Sequence, residues 1–226
     1  MQAFGKYSTE IKVLPEPVAE WKNMRGVNLL DQMYRNPART IFPFQIWVHQ
    51  TNLKRVLDPT GPGPRIIERL QGARAFSQVA RDNGYLDETQ ASLLHEIWDF
   101  AEKEPKLNML PDLYIYMKVS PATCLQRIRT RNRPEEGGID IRYLTALHNY
   151  HQSWLNHGKV TNAKNEQIEV IVVDGERDIN QHPSMYEDVA TCVMQRVRHH
   201  ESVANLTEEC RCGNPLCCGL CTLIGQ

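Results

Sequence analysis

Four short runs rich in β-branched and aromatic residues punctuate the chain, at 11–14, 65–67, 113–119 and 168–173. Each ends in a break or a charged residue, the pattern of a buried strand. Longer stretches of helical character lie between them: 18–33 and 44–56, then 74–83 and 87–104, then 121–133 and 141–157. A last one, 184–199, follows the fourth run. Ser120 before Pro121 marks a helix start, because the hydroxyl can accept a first-turn N–H and proline lacks one that is not needed there. Strands alternating with helices predict an α/β fold on a parallel sheet, with ligands at the carboxyl edge of the strands.

Composition narrows the class. Lys and Arg number 26 against 27 Asp and Glu, a net charge of −1. That balance argues against a nucleic-acid coat and against an acidic disordered tail. No apolar run reaches the roughly 18–20 residues of a membrane span, and the first residues lack the apolar core of a secretion signal. The expectation is an intracellular protein without membrane or nucleic-acid partners. Cys124 and Cys192 stand alone, while Cys210, Cys212, Cys217, Cys218 and Cys221 crowd the C-terminus. The expected division is a domain over 1–200 and a Cys-rich tail over 201–226. The tail spacings could bind zinc through thiolates, but the plainer reading is an extension, and no metal is assigned to it or to His148 and His151.

Candidate chemistry collects at the strand tips. The first strand runs into Glu16, the second into Glu68-Arg69, and the fourth ends at Asp174. In a parallel sheet these tips share an edge. A carboxylate there can take a proton from a hydroxyl or hold water on Mg²⁺, and an arginine can steady a phosphate. Arg127, Arg129, Arg131 and Arg133 follow the third strand, with i,i+4 pairs on two helix faces. Such density suits an anionic ligand, or else a solvated basic helix balanced by Glu135 and Glu136. Trp21, Tyr34, Phe44, Trp47 and Phe76 are ordinary core candidates. Gln45 beside Phe44 is more pointed, since an amide can pair with a base edge while a ring stacks on its face.

Together these stretches resemble the deoxyribonucleoside kinase family. The likeness rests on Leu14-Pro-Glu-Pro-Val-Ala-Glu-Trp21, Gly26-Val-Asn-Leu-Leu30, Met33-Tyr34, Pro43-Phe-Gln45 and Ile66-Ile-Glu-Arg69. It continues through Tyr116–Trp154, with Ser120-Pro-Ala-Thr-Cys-Leu-Gln-Arg, Glu135-Glu136 and His148-x-x-His151-x-x-Trp154. It implies a three-layer P-loop-kinase-like sheet flanked by helices, and ATP-dependent phosphorylation of a deoxyribonucleoside 5′-hydroxyl in nucleotide salvage. By the same likeness Glu16 takes the hydroxyl proton, and Arg69 steadies that carboxylate and the moving phosphoryl group. Glu68 is linked to Mg²⁺. Trp21, Met33, Tyr34, Phe44 and Gln45 form the nucleoside pocket, with Ala73 beside the base. Tyr34 and Glu136 hold the sugar 3′-hydroxyl, Arg127, Arg131 and Arg133 close on the ATP phosphates, and the loop from Asp174 holds the donor base. A homodimer in the cytoplasm or mitochondrion is implied as well.

Three departures stand out. Leu70 replaces the serine that follows Glu-Arg in the family, and the segment after it is shorter. Asn52 stands where several relatives carry an apolar pocket residue. No Gly-x-x-x-x-Gly-Lys-Ser/Thr run occurs among the 226 residues, although its backbone N–H groups and lysine would cradle the donor phosphates. The chain therefore reads first as one lacking the family's central strand and P-loop, and inactive in that form. It reads second as a non-catalytic nucleoside-binding or dimer-partner relative, and third as an enzyme with an unfamiliar phosphate cradle.

Overall fold

Lys12–Leu14 (β1) lies parallel to Arg65–Ile67 (β2), with Val13 opposite Ile66. Leu113–Lys118 (β3) lies parallel to Gln167–Asp174 (β5), and Lys159–Thr161 (β4) joins the far side of β5 antiparallel. The α/β class is as expected, but in this computed structural model the strands fall into two sheets, β1-β2 and β3-β5-β4. The structure describes residues 11–57, 63–107, 109–178 and 180–209. They divide into a unit of Lys12–Asp178 and a second unit containing the last helix, Pro183–Glu209. The cysteines of the tail lie outside the described residues.

The hairpin strand β4 escapes the sequence pattern because three residues are too few to show alternation. Its turn is built locally: the Asn162 side-chain oxygen accepts the N–H groups of Lys164 and Glu166, both at 2.9 Å. Asn165 takes the left-handed conformation at φ +63°, which asparagine tolerates better than most residues.

The helices correct the sequence reading in two places. The stretch 18–33 is two helices, Val18–Lys22 (α1) and Leu29–Arg35 (α2). Between them Met24 and Val27 pair across a tight turn in which Arg25 and Gly26 have φ of +52° and +89°. Asn28 then caps α2 through the Asp31 N–H. The next helix begins well before residue 44: α3 is Pro37–Val56. Pro37 suits a first turn, and Pro43 is tolerated near the start because the carbonyl it leaves free belongs to exposed Arg39.

Ala73–Asp82 (α4) and Glu88–Lys103 (α5) follow β2, the latter opened by an Asp87–Gln90 capping box. After β3, Ser120 caps Pro121–Arg131 (α6) as expected, accepting the Thr123 N–H. Asn132 ends α6 at φ +50°. Arg133 therefore lies beyond the helix, and its expected helical pairing with Arg129 does not form. A short 3-10 turn, Pro134–Glu136, leads to Ile141–Leu155 (α7).

The main core packs Trp21 of α1, Leu30 and Met33 of α2 and Phe44 and Val48 of α3 against Leu94 and Trp98 of α5. Tyr116, Leu155, Val160 and Val170 form a separate cluster under the β3-β5-β4 sheet. Each sheet thus rests on helices of its own neighbourhood. Among the described residues no helix is long and apolar enough to cross a membrane.

Candidate active site

The β1-β2 pairing brings two strand tips side by side. Glu68 N–H donates to the Leu14 carbonyl at 3.0 Å, and Glu16 N–H donates to Glu68 Oε2 at 3.2 Å. Just past β2 the chain turns sharply at Arg69, whose φ is +50°. This turn swings the guanidinium over Glu16: Nε donates to Oε1 at 2.5 Å and Nη2 to Oε2. The pair is the side-by-side arrangement in which arginine and carboxylate interact most strongly. The Arg69 guanidinium also lies over the Phe76 ring, 5.4 Å from its centre. Its side chain keeps 49% of its surface accessible. Partial desolvation works against its charge, but Glu16 and Glu68 outweigh the loss and hold the guanidinium above its ordinary value.

The adjoining wall is aromatic. Trp21 and Phe44 meet edge to face at 5.8 Å, and Trp21 Nε1–H donates to Thr51 Oγ1 at 3.0 Å. Met33 is buried with them, and Ala73 joins the same cluster from the start of α4. Gln45, only 2% exposed, has its Oε1 buried with no hydrogen-bond partner. An orphan acceptor of this kind is costly unless a ligand donor completes it. The amide set next to a ring is the more pointed of the aromatic-region signals in the sequence; its burial without a partner depends on the fold.

The third wall comes from the segment after α6. Glu136 is buried, and its Oε2 accepts from Nε and Nη2 of Arg131 at 3.2 and 2.7 Å. Arg133 Nη1 donates to Oε1 at 3.4 Å. Burial and the charge of Glu136 push the Tyr34 phenol up to about 12, with Arg69, Arg131 and Glu16 also acting on it. The phenol therefore stands within reach of the charges of both the strand-tip pair and the Glu136 wall, and stays protonated at neutral pH. Glu135, which the sequence offered only as a counter-charge, anchors this wall. It bonds Lys22 at 2.9 Å and Asn28 at 3.2 Å, tying the turn to α1 and α2.

Arg127 and Asp174 lie apart from this group, beside β5. Arg127 donates to the Glu176 carbonyl at 3.1 Å. Asp174 accepts the Glu176 N–H at 3.1 Å. The Glu176 carboxylate accepts from Ser120 N–H and, at 2.6 Å, from Thr123 Oγ1. Gly175 makes this docking possible, since a Cβ there would lie 2.5 Å from the Val119 side chain. A hollow of about 460 Å³ opens between Lys118, Ser120, His148, Asp174 and Glu176. His148 and His151 each bond a backbone carbonyl through Nδ1.

A family model described as deoxynucleoside kinase matches residues 4–198. The chain belongs to the deoxynucleoside kinase family. It is 35% identical over 159 residues to "Thymidine kinase 2, mitochondrial" of Macaca fascicularis and 34% identical to the human protein of that name. Both alignments cover 70% of this chain, which spans 59% of the length of each of those relatives. It is 31% identical to a probable deoxycytidine kinase of fowlpox virus, over 74% of this chain and 69% of the viral one.

A magnesium ion carried by a nucleotide needs only one or two protein carboxylates besides phosphates and water. The strand tips offer that much, because Glu68 takes a hydrogen bond on Oε2 alone. Among the described residues no group of three metal-ligating side chains occurs.

Proposed function

We propose that the chain binds a pyrimidine deoxyribonucleoside and positions its 5′-hydroxyl for phosphorylation by ATP, as in nucleotide salvage. The observation that carries this reading is the Glu16–Arg69 pair, joined across the tips of β1 and β2 with the Arg69 guanidinium over the Phe76 ring. Glu16 accepts the hydroxyl proton. Arg69 orients that carboxylate through two hydrogen bonds and faces the charge that develops on the moving phosphoryl group. Gln45 pairs with the base edge through its unpartnered Oε1, between Trp21 and Phe44. Tyr34 and Glu136 hold the sugar 3′-hydroxyl. Mg²⁺ arrives with ATP, neutralises phosphate charge and takes Glu68 as a protein ligand. Arg127, Arg131 and Arg133 supply cations to the donor phosphates, and the hollow beside Asp174 takes the donor base. The names of the relatives, thymidine and deoxycytidine kinases, favour a pyrimidine.

A second reading has its own observation. No P-loop motif occurs among the 226 residues, which favours nucleoside binding without turnover by this chain alone, or in partnership with another. A dimer through α3 and α5 fits the apolar groove between them, where Phe100 is 66% exposed beside Leu53 and Ile97. Titrating the purified chain with thymidine, deoxycytidine and deoxyguanosine, then adding labelled ATP and Mg²⁺, tests both. Pyrimidine binding with 5′-monophosphate formed supports the kinase, and binding without product supports the second reading. Failure to bind any of them overturns both.

A further inference from the structure

Behind the Glu16–Arg69 pair lies a buried cation that none of the chemistry above uses. Arg55, near the end of α3, is 9% exposed. Its Nη2 donates to the Leu14 carbonyl at 2.6 Å and to the Glu68 carbonyl at 3.0 Å. Its Nη1 donates to Asn52 Oδ1 at 2.8 Å, and Asn52 Nδ2 donates to the Leu70 carbonyl at 3.1 Å. Arg55 Nε is buried without a partner, so the guanidinium gives up one hydrogen bond to reach these three oxygens.

The pattern of acceptors is specific. Glu68 and Leu70 flank Arg69, the residue whose backbone is left-handed at φ +50°. That conformation is strained for a residue with a side chain and persists only where its surroundings hold it. One side chain of α3 grips the carbonyl before Arg69, and its neighbour grips the carbonyl after it. The same guanidinium grips Leu14, two residues before Glu16. The two strand tips and the turn are therefore fixed to one helix by one hydrogen-bonded unit. A buried arginine serving only to tie helix to sheet could do so at any carbonyl of β1 or β2. This one reaches the carbonyls that set where Glu16 and Arg69 stand.

We propose that Arg55 and Asn52 are positioning residues that hold the Arg69 turn against β1 and so set the geometry of the Glu16–Arg69 pair toward a 5′-hydroxyl. The last part rests on the nucleoside reading given above. It also gives a physical role to buried Asn52, which bonds both the Leu70 carbonyl and Arg55.

The test compares thymidine with 5′-deoxythymidine, which lacks only the hydroxyl, by calorimetric titration of the full chain. The wild-type chain should favour thymidine about tenfold or more, the worth of one charge-assisted hydrogen bond. Arg55→Lys keeps the charge but replaces the planar fork with a single shorter-reaching ammonium, which cannot hold Asn52 and both carbonyls in the same fixed plane. It should lower that preference to about twofold while binding 5′-deoxythymidine within twofold of wild type. Asn52→Ala, which keeps Arg55 and its two carbonyl bonds but removes the Nη1 partner and the Leu70 bond, should lower the preference about threefold and decides the matter if Arg55→Lys does not fold. A folded variant of either residue that keeps the full preference overturns the proposal. A wild-type chain that binds both ligands equally or not at all counts against the nucleoside reading instead. Amide exchange across Arg69–Gly72 then still tests the clamp: it should quicken at least tenfold in both variants, and unchanged exchange overturns it.

Discussion

Glu16 and Arg69 meet at two points, Nε to Oε1 and Nη2 to Oε2, although 53 residues separate them in sequence. The carboxylate is thereby fixed in one orientation beside a cation, as a positioned proton acceptor should be. Glu16→Gln keeps the shape and removes the base. Phosphorylation of the nucleoside by ATP should fall at least about 100-fold, with nucleoside affinity changed much less. Steady-state rates and a parallel binding titration check both halves.

Gln45 gives a prediction with opposite signs for stability and binding. Its buried Oε1 lacks a partner, and such an acceptor costs about 1–3 kcal/mol. Gln45→Met removes the orphan at similar volume. The melting temperature of the ligand-free chain should rise by about 2–4 °C for each kcal/mol recovered, while affinity for thymidine should drop at least tenfold.

Thr51 is fully buried and serves two bonds, accepting from Trp21 Nε1 and donating to the Val48 carbonyl. Thr51→Val keeps the shape and strands the indole N–H. A loss of about 1–3 kcal/mol is expected in urea unfolding, and Trp21 emission should report the altered contact directly.

Glu136→Gln should act on the sugar. It weakens the grip of Arg131 and Arg133 and the acceptor proposed for the 3′-hydroxyl. Binding of thymidine should weaken about tenfold, and binding of 3′-deoxythymidine should hardly change. Equal losses for the two ligands would place the contact elsewhere.

Stability should depend on pH through two buried imidazoles. Burial holds His49 and His151 below the ordinary value of 6.5. As pH falls through 6.5 the unfolded chain takes up protons before the folded one does, so unfolding is favoured progressively toward the folded values. Above 6.5 these groups contribute no slope. Urea midpoints between pH 8 and 5 should fall on the acid side, and His49→Leu should flatten part of that fall.

Much of the site was legible in the sequence because its residues sit at strand tips and in short motifs. Glu16, Glu68 and Arg69 follow β-rich runs directly, and pairing of those runs is enough to bring them together. The Ser120 cap was legible for the same local reason. Other features depend on distant partners. The break at Met24–Val27 interrupts an apolar pattern that reads as one helix, and three-residue β4 exists only against β5. Asn52 and Arg55 resemble ordinary polar positions on a long helix until the strands they support are in place. Arg131 and Arg133 offered an anion site or a solvated face, and the fold turns both onto Glu136.

That shared carboxylate has a consequence of its own. With both oxygens occupied by arginines, Glu136 is a blunted acceptor toward anything else. A polyanion that drew Arg131 or Arg133 away would free an oxygen just as the sugar needs one. By reciprocity, a sugar bound first would loosen the arginines for the polyanion by the same free energy. Two ligands that never touch this residue together would thus assist each other through it, and the order of their arrival would leave the final affinity unchanged.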